Sequence, residues 1–135
     1  MGPPLPYNFD ARKFDVIVGN PPYMATEHMK QLTPLELPLY KTQYQSAYKQ
    51  FDKYFLFIER GLFLLKPQGL FGYIVPSKFT KVGAGKKLRE LLASKKEIEK
   101  IISFGANQIF QDKTTYTCLL ILKKGLSQLT SLNTV

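Results

Sequence analysis

Eight residues of this chain, Ala47, Tyr48, Phe51, Tyr54, Phe55, Ile58, Leu62 and Leu65, recur at steps of three and four between two short apolar runs. That step marks one face of a helix, expected over residues 45–66. Upstream, Phe14-Asp15-Val16-Ile17-Val18-Gly19 is dominated by β-branched residues and reads as a buried strand. It stops at Asn20-Pro21-Pro22, because proline has no N–H to continue a ladder. Downstream, Pro67-Gln68-Gly69 breaks the helix, and residues 70–75 read as a second buried strand ending at Pro76. Strand, helix and strand in this order make an α/β crossover with parallel strands.

The rest of the chain extends the same pattern. Residues 24–43 are mixed, contain Pro34 and Pro38, and are expected to form a long irregular connection. Residues 86–94 carry Leu88, Leu91 and Leu92 on one face and basic residues on the other, which predicts a short amphipathic helix. A third strand is expected over 98–104, closed by Gly105, and a fourth over 115–122, with the polar chain from Lys123 fraying. The expected fold is α/β, roughly four strands with two main helices, in an open sheet that begins parallel and finishes antiparallel. The expected organisation is a lead-in over 1–13, one domain over 14–124 and a polar tail over 125–135. Four strands make a thin domain, so half of a doubly wound sheet is expected to lie outside it.

Composition narrows the function classes. Hydrophobic residues make up 44% of the 135, enough for a compact core. A net charge of +9 suits a polyanionic partner such as nucleic acid. The one cysteine, Cys118, excludes an intrachain disulfide scaffold, and without Cys or His neighbours it gives no zinc cluster. No metal-ligand cluster is expected, and a reducing cytoplasm is the default location. The most apolar stretch, residues 55–65, is cut by Glu59 and Arg60 and falls short of the roughly 20 residues of a membrane span. The N-terminal residues have neither a basic segment nor an apolar one of the signal-peptide kind.

Asn20-Pro21-Pro22-Tyr23 carries the chemistry. It sits just past the carboxyl end of a strand, where open α/β sheets place their ligands. A planar amino group on a base or an amide is a poor nucleophile, because its lone pair is delocalised. The Asn20 side-chain oxygen and the Pro21 carbonyl can each accept one N–H, drawing the nitrogen toward tetrahedral geometry as positive charge builds on it. The prolines stiffen the loop and remove competing donors. Tyr23 offers a flat face for an extruded base, a contact worth about 1–3 kcal/mol.

Residues 14–23, ending in this tetrapeptide, resemble the catalytic motif of S-adenosylmethionine-dependent amino methyltransferases, whose sheet is Rossmann-like. More narrowly, the chain resembles the adenine-N6 DNA methyltransferases of the gamma type found in restriction-modification systems, some fused to nucleases. Gly69-Leu70-Phe71-Gly72-Tyr73-Ile74-Val75-Pro76-Ser77-Lys78-Phe79 is similar to that family's strand with its Ile-Val-Pro exit. Phe55-Leu56-Phe57-Ile58-Glu59-Arg60-Gly61 is similar to its crossover helix. Ile109-Phe110-Gln111-Asp112-Lys113-Thr114 resembles the segment that closes on the target base. The resemblance implies that Asn20 and Pro21 hold the N6 amino group, that Tyr23 and Phe110 sandwich the adenine, and that Lys113 lies near the base or its phosphate. Asn20 and Pro22 would border S-adenosylmethionine. It also implies double-stranded DNA as partner. The family's glycine-rich cofactor loop and its ribose-binding acid have no counterpart before Phe14, nor its recognition domain after Lys123. The chain thus looks like the second half of a catalytic domain, a fragment expected to be inactive without the rest of its parent polypeptide.

Three other readings stand beside this one. Release-factor glutamine-N5 methyltransferases use the same tetrapeptide on a side-chain amide, though the Ile74-Val75-Pro76 exit and the Phe110 segment favour DNA. An RNA base is another possible acceptor, and a basic non-catalytic module would bind nucleic acid only. Gly83-Ala84-Gly85-Lys86-Lys87 opens a helix without the full spacing of a phosphate-binding loop. With Lys78, Lys81 and Arg89 it is expected to form a flexible basic surface. His28 is expected at the surface, and Cys118 as a small buried hydrophobe without the Pro-Cys setting of a cytosine-C5 nucleophile.

Overall fold

The computed structural model describes residues 14–94, 98–105 and 117–125. Their elements are β1 (Phe14–Gly19), α1 (Thr26–Leu32), α2 (Glu36–Gln43), α3 (Lys53–Leu64), β2 (Leu65–Pro76), α4 (Lys86–Ser94), β3 (Ile98–Gly105) and β4 (Thr117–Lys124). Two 3-10 turns, Ser77–Thr80 and Gly83–Gly85, join β2 to α4. The strands form one sheet in the order β1-β2-β4-β3. β1 runs parallel to β2, and β4 lies antiparallel between β2 and β3. The α/β architecture and the parallel-then-antiparallel sheet follow the sequence expectation.

The core lies between the sheet and α3 with α4. Tyr54, Phe55, Leu56, Ile58 and Leu62 of α3 are buried together with Phe71, Tyr73 and Val75 of β2 and Cys118, Leu120 and Leu122 of β4. Leu88, Leu91 and Leu92 of α4 join this core, as their spacing predicts. Along β2 the burial alternates from Leu70 to Val75, with Phe71, Tyr73 and Val75 facing inward, as a pleated strand with one face on helices requires.

Several expectations are corrected. Residues 24–43 hold two helices, α1 and α2, where an irregular connection was expected. Pro38 is the third residue of α2, a position whose N–H has no intrahelical partner, so it does not break the helix. The long helix starts at Lys53 rather than 45, because the side chain of Asp52 caps it by accepting from the Tyr54 N–H at 3.3 Å. Residues 45 and 46 instead donate their N–H groups to the Glu59 carboxylate, at 3.2 and 2.9 Å. At its other end α3 stops at Leu64, and Pro67-Gln68-Gly69 forms an irregularity inside β2. The register there jumps from Phe14↔Leu65 to Val16↔Leu70. Gln68 takes φ 71°, and a Cβ on Gly69 would lie 2.9 Å from the Lys66 carbonyl oxygen.

β1 was expected to be buried. Phe14, Val16 and Val18 are 49%, 59% and 75% exposed, since β1 pairs with β2 along one edge and the face that carries them is uncovered among the described residues, while Ile17 on the other face packs against the core. At the end of β4 the chain does not fray from Lys123. β4 continues to Lys124, whose buried ammonium donates to the carbonyls of Leu62 and Leu65 at 2.8 and 3.0 Å. Those are orphan acceptors at the carboxyl end of α3, and a cation is the favourable cap there.

The contact between α3 and β2 requires a glycine. A Cβ on Gly61 would overlap the Phe71 ring and lie 3.2 Å from the Tyr73 hydroxyl. Overpacking costs roughly 1–3 kcal/mol, more than the roughly 1 kcal/mol that alanine otherwise gains over glycine in a helix. Gly61→Ala is therefore expected to lower the urea midpoint without changing the denaturant slope. Tyrosines set a second dependence. Burial raises the hydroxyl pKa of Tyr23, Tyr44, Tyr54 and Tyr73, and burial and the Glu36 carboxylate push that of Tyr40 up to about 12. The folded chain holds these protons more tightly than the unfolded one, whose tyrosines titrate near about 10. Stability is then complete below about pH 10 and falls as pH rises from there toward about 12. Phenolate absorbance and circular dichroism should report ionisation and unfolding together across that window.

Candidate active site

Because β1 and β2 are parallel, both end on the same side of the sheet. Gly19 pairs with Tyr73, so the chain leaving β1 meets the last residues of β2. There Asn20, Pro22 and Tyr23 are exposed and Pro21 is buried. The tetrapeptide thus stands at a strand's carboxyl end, anchored by one proline and open to solvent at the other three positions.

Tyr23 is held from three directions. Its hydroxyl lies 3.1 Å from the Oδ1 of Asn20 and 3.1 Å from the Ile74 carbonyl, donating between the two. Tyr54 meets it edge to face, with centroids 5.7 Å apart at 72°. Tyr54 is fixed in turn by donating to the Pro76 carbonyl at 3.2 Å and by edge contacts with Phe55 and Phe79. Burial, more than any neighbouring charge, raises the Tyr23 hydroxyl. It therefore stays protonated near neutrality and serves Asn20 as a donor. An amide oxygen carries two lone pairs, so Asn20 Oδ1 keeps acceptor capacity beside this bond.

The loop is closed behind Tyr23. Met24 donates its N–H to Asp52 at 2.9 Å, its carbonyl accepts from the Lys53 N–H at 2.9 Å, and Ala25 bridges to Asp52. Burial raises the Asp52 carboxyl, opposed by the backbone N–H groups of Met24, Tyr54 and Lys53 and by Lys78. Sequence reasoning missed Asp52, Tyr54 and the β2 carbonyls. The signal for Asp52 was present, since an acidic residue directly before an apolar helical run is a helix N-cap signature.

The other predicted positions separate. Phe110 and Lys113 lie outside the described residues. Lys78, Lys81, Lys86 and Lys87 are exposed, as expected of a basic surface. Arg89 is not part of it. Its guanidinium is half-buried and donates to the carbonyls of Phe79 and Val82 at 2.8 and 2.7 Å. The glycine-rich turn has a packing explanation too, because a Cβ on Gly85 would overlap the Phe79 carbonyl and lie 2.9 Å from the Arg89 guanidinium. The expected flexible loop is thus a pair of 3-10 turns clamped from α4. His28 is exposed and Cys118 is buried. Among the described residues no group of three His, Cys, Asp or Glu could hold a metal ion, and no helix is long and apolar enough to cross a membrane.

Comparison with known proteins shows the family and the fold. The family model of the Eco57I restriction-modification methylase matches residues 4–110. The type II restriction enzyme and methyltransferase RM.Eco57I of Escherichia coli is 65% identical over 119 residues, covering 88% of this chain and 12% of that protein. The type II methyltransferase M.BstVI of Geobacillus stearothermophilus is 33% identical over 115 residues, covering 84% of this chain and 20% of that protein. The chain therefore spans a fifth or less of the length of these two relatives. Among solved structures, a protein of Listeria monocytogenes assigned to the class I S-adenosylmethionine-dependent methyltransferases superposes with a TM-score of 0.58 at 20% identity, covering 84% of this chain and 32% of that one. The type IIG restriction endonuclease BpuSI gives 0.55 at 22%, covering 84% and 14%. The sheet is thus part of the class I methyltransferase fold.

The clamp on the turn is open to measurement. Hydrogen bonds to a charged group contribute about 1.5–3 kcal/mol, so Arg89→Ala should lower unfolding free energy by an amount in that range. Lys86→Ala, at an exposed position on the same helix, should leave it within about 0.5 kcal/mol of wild type.

Proposed function

Because the chain belongs to the Eco57I restriction-modification methylase family, we propose that it is the base-receiving part of a DNA methyltransferase domain acting on the N6 amino group of adenine. The observation that carries this reading is the exposed Asn20 carboxamide at the carboxyl end of β1, bonded to a Tyr23 hydroxyl that is itself fixed on β2. Asn20 Oδ1 and the Pro21 carbonyl accept the two amino hydrogens and localise the nitrogen lone pair. The Tyr23 ring, steadied by Tyr54, gives the base a stacking face. Phe110 takes the opposite face, and Lys113 lies near the base or its phosphate.

S-adenosylmethionine, when bound, supplies an electrophilic methyl group on a sulfonium. Amide and peptide carbonyl oxygens are a donor set that fits a cationic sulfonium, and Asn20 and Pro22 would border it. The chain's own part is to hold the amino nitrogen in line and stabilise the charge it gains, so the transfer needs no covalent enzyme intermediate. Double-stranded DNA is the partner, and the remaining polypeptide supplies the rest of the cofactor site and target recognition. The exposed Lys78, Lys81, Lys86 and Lys87 suit phosphate contacts.

The test uses the full polypeptide with labelled S-adenosylmethionine and unmethylated duplex DNA, followed by nucleoside analysis. N6-methyladenine is the expected product. Asn20→Ala should lower kcat by about 10²–10³-fold, the scale of losing one preorganised polar group at a developing charge, with DNA affinity within about twofold. N4-methylcytosine in its place, or label entering only protein or RNA, would overturn the assigned acceptor.

A further inference from the structure

The Asn20–Tyr23 loop has to hold its acceptors in one place while a base enters and leaves, yet its own residues form few bonds that could do so. Pro21 and Pro22 have no N–H, and the Asn20 side chain accepts from the Tyr23 hydroxyl within the same loop. Beside the Tyr23 bond to the Ile74 carbonyl, further fixed points lie one residue on. Asp52 Oδ1 accepts from the Met24 N–H at 2.9 Å and from the Tyr54 N–H at 3.3 Å. One oxygen therefore ties the exit of the loop to the first turn of α3. The Met24 carbonyl returns the tie by accepting from Lys53 at 2.9 Å, and Thr26 donates to the Phe51 carbonyl. Two residues past Asp52, the Tyr54 ring meets that of Tyr23 in a T-shaped contact.

We propose that Asp52 is a positioning residue for methyl transfer, locking the Asn20–Tyr23 loop and the Tyr54 support of Tyr23 to the N-terminus of α3. This rests on the base-receiving role assigned above. Asp52 acts through Met24 and Tyr54 and need not touch substrate. Its function is to accept two N–H groups with one oxygen, which an asparagine carbonyl can also do. Asparagine is as good an N-cap as aspartate. It also avoids the burial of a charge that raises the Asp52 carboxyl. Geometry and charge are thereby separable.

Two variants of the full polypeptide, Asp52→Ala and Asp52→Asn, decide the matter through kinetics and amide hydrogen exchange. Asp52→Ala should reduce kcat by at least about tenfold, since small misplacements of reacting groups are costly. KM for DNA and for S-adenosylmethionine should stay within about twofold. Peptides covering residues 20–26 should exchange at least about tenfold faster, with those covering the later turns of α3 unchanged. Asp52→Asn should recover kcat to within about threefold of wild type and restore the slow exchange. Wild-type kcat and wild-type exchange in the alanine variant would overturn the proposal, and so would an asparagine variant as impaired as alanine, which would make charge the requirement. If the wild-type protein methylates no DNA, the functional reading fails instead. Exchange of residues 20–26 then still judges the lock, with an unchanged rate in Asp52→Ala overturning it.

Discussion

Parallel pairing of β1 with β2 is the constraint on which the remaining geometry depends. Parallel neighbours end on the same edge of a sheet, so the chain must cross the whole domain between them. The crossover helix α3 runs back against the strands, which puts its N-terminus at their carboxyl ends. Three chain ends therefore meet in one place: the exit of β1 at Asn20, the exit of β2 at Pro76 and the start of α3 at Asp52. The bonds from Tyr23 to Ile74, from Tyr54 to Pro76 and from Met24 to Asp52 each join two of them.

The stability of that meeting point comes from different sources on its two sides. Behind it, α3 and α4 bury aromatic and aliphatic side chains against β2 and β4, packed closely enough that Gly61 cannot carry a Cβ without displacing Phe71. At the meeting point itself, polar contacts are added to the buried Phe51, Val75 and Phe79. Backbone carbonyls at the strand ends are satisfied by tyrosine hydroxyls, Ile74 by Tyr23 and Pro76 by Tyr54. Tyrosine suits this border, having an apolar ring for the core and a donor for the carbonyl. The same economy appears at the other end of α3, where Lys124 extends a buried stem to reach two orphan carbonyls.

Much of the fold was legible because long periodic segments carry redundant signal. The β1 run, the core of β2, the α4 face and the β3 and β4 strands stand where their patterns predict. What was misread was short or capped by a single side chain. α1 and α2 bury little beyond Met29 and Tyr40 and leave Leu32, Leu35 and Leu39 exposed, so their apolar pattern gives no clear face. Ala47, Tyr48 and Phe51 continue the α3 spacing without belonging to the helix, because Asp52 accepts the Tyr54 N–H that a longer helix would give to the carbonyl of residue 50, while the N–H groups of Gln45 and Ser46 go to Glu59. Arg89, grouped by sequence with the surface lysines, points its donors at Phe79 and Val82, a distinction that composition does not hold.

For the site, Asn20-Pro21-Pro22-Tyr23 was identifiable from the sequence by itself, since a β-branched run stopped by two prolines fixes both the strand and the place where it ends. The sequence also determined the α/β class and the basic surface, properties that depend on local pattern and summed charge. Only the tertiary structure decided that Tyr23 rests on Ile74 and Tyr54, and that Asp52 secures the loop from 28 residues further along the chain. Those contacts join residues distant in sequence through single hydrogen bonds, whose partners are set by how strands and helix dock and leave no periodic trace in the chain.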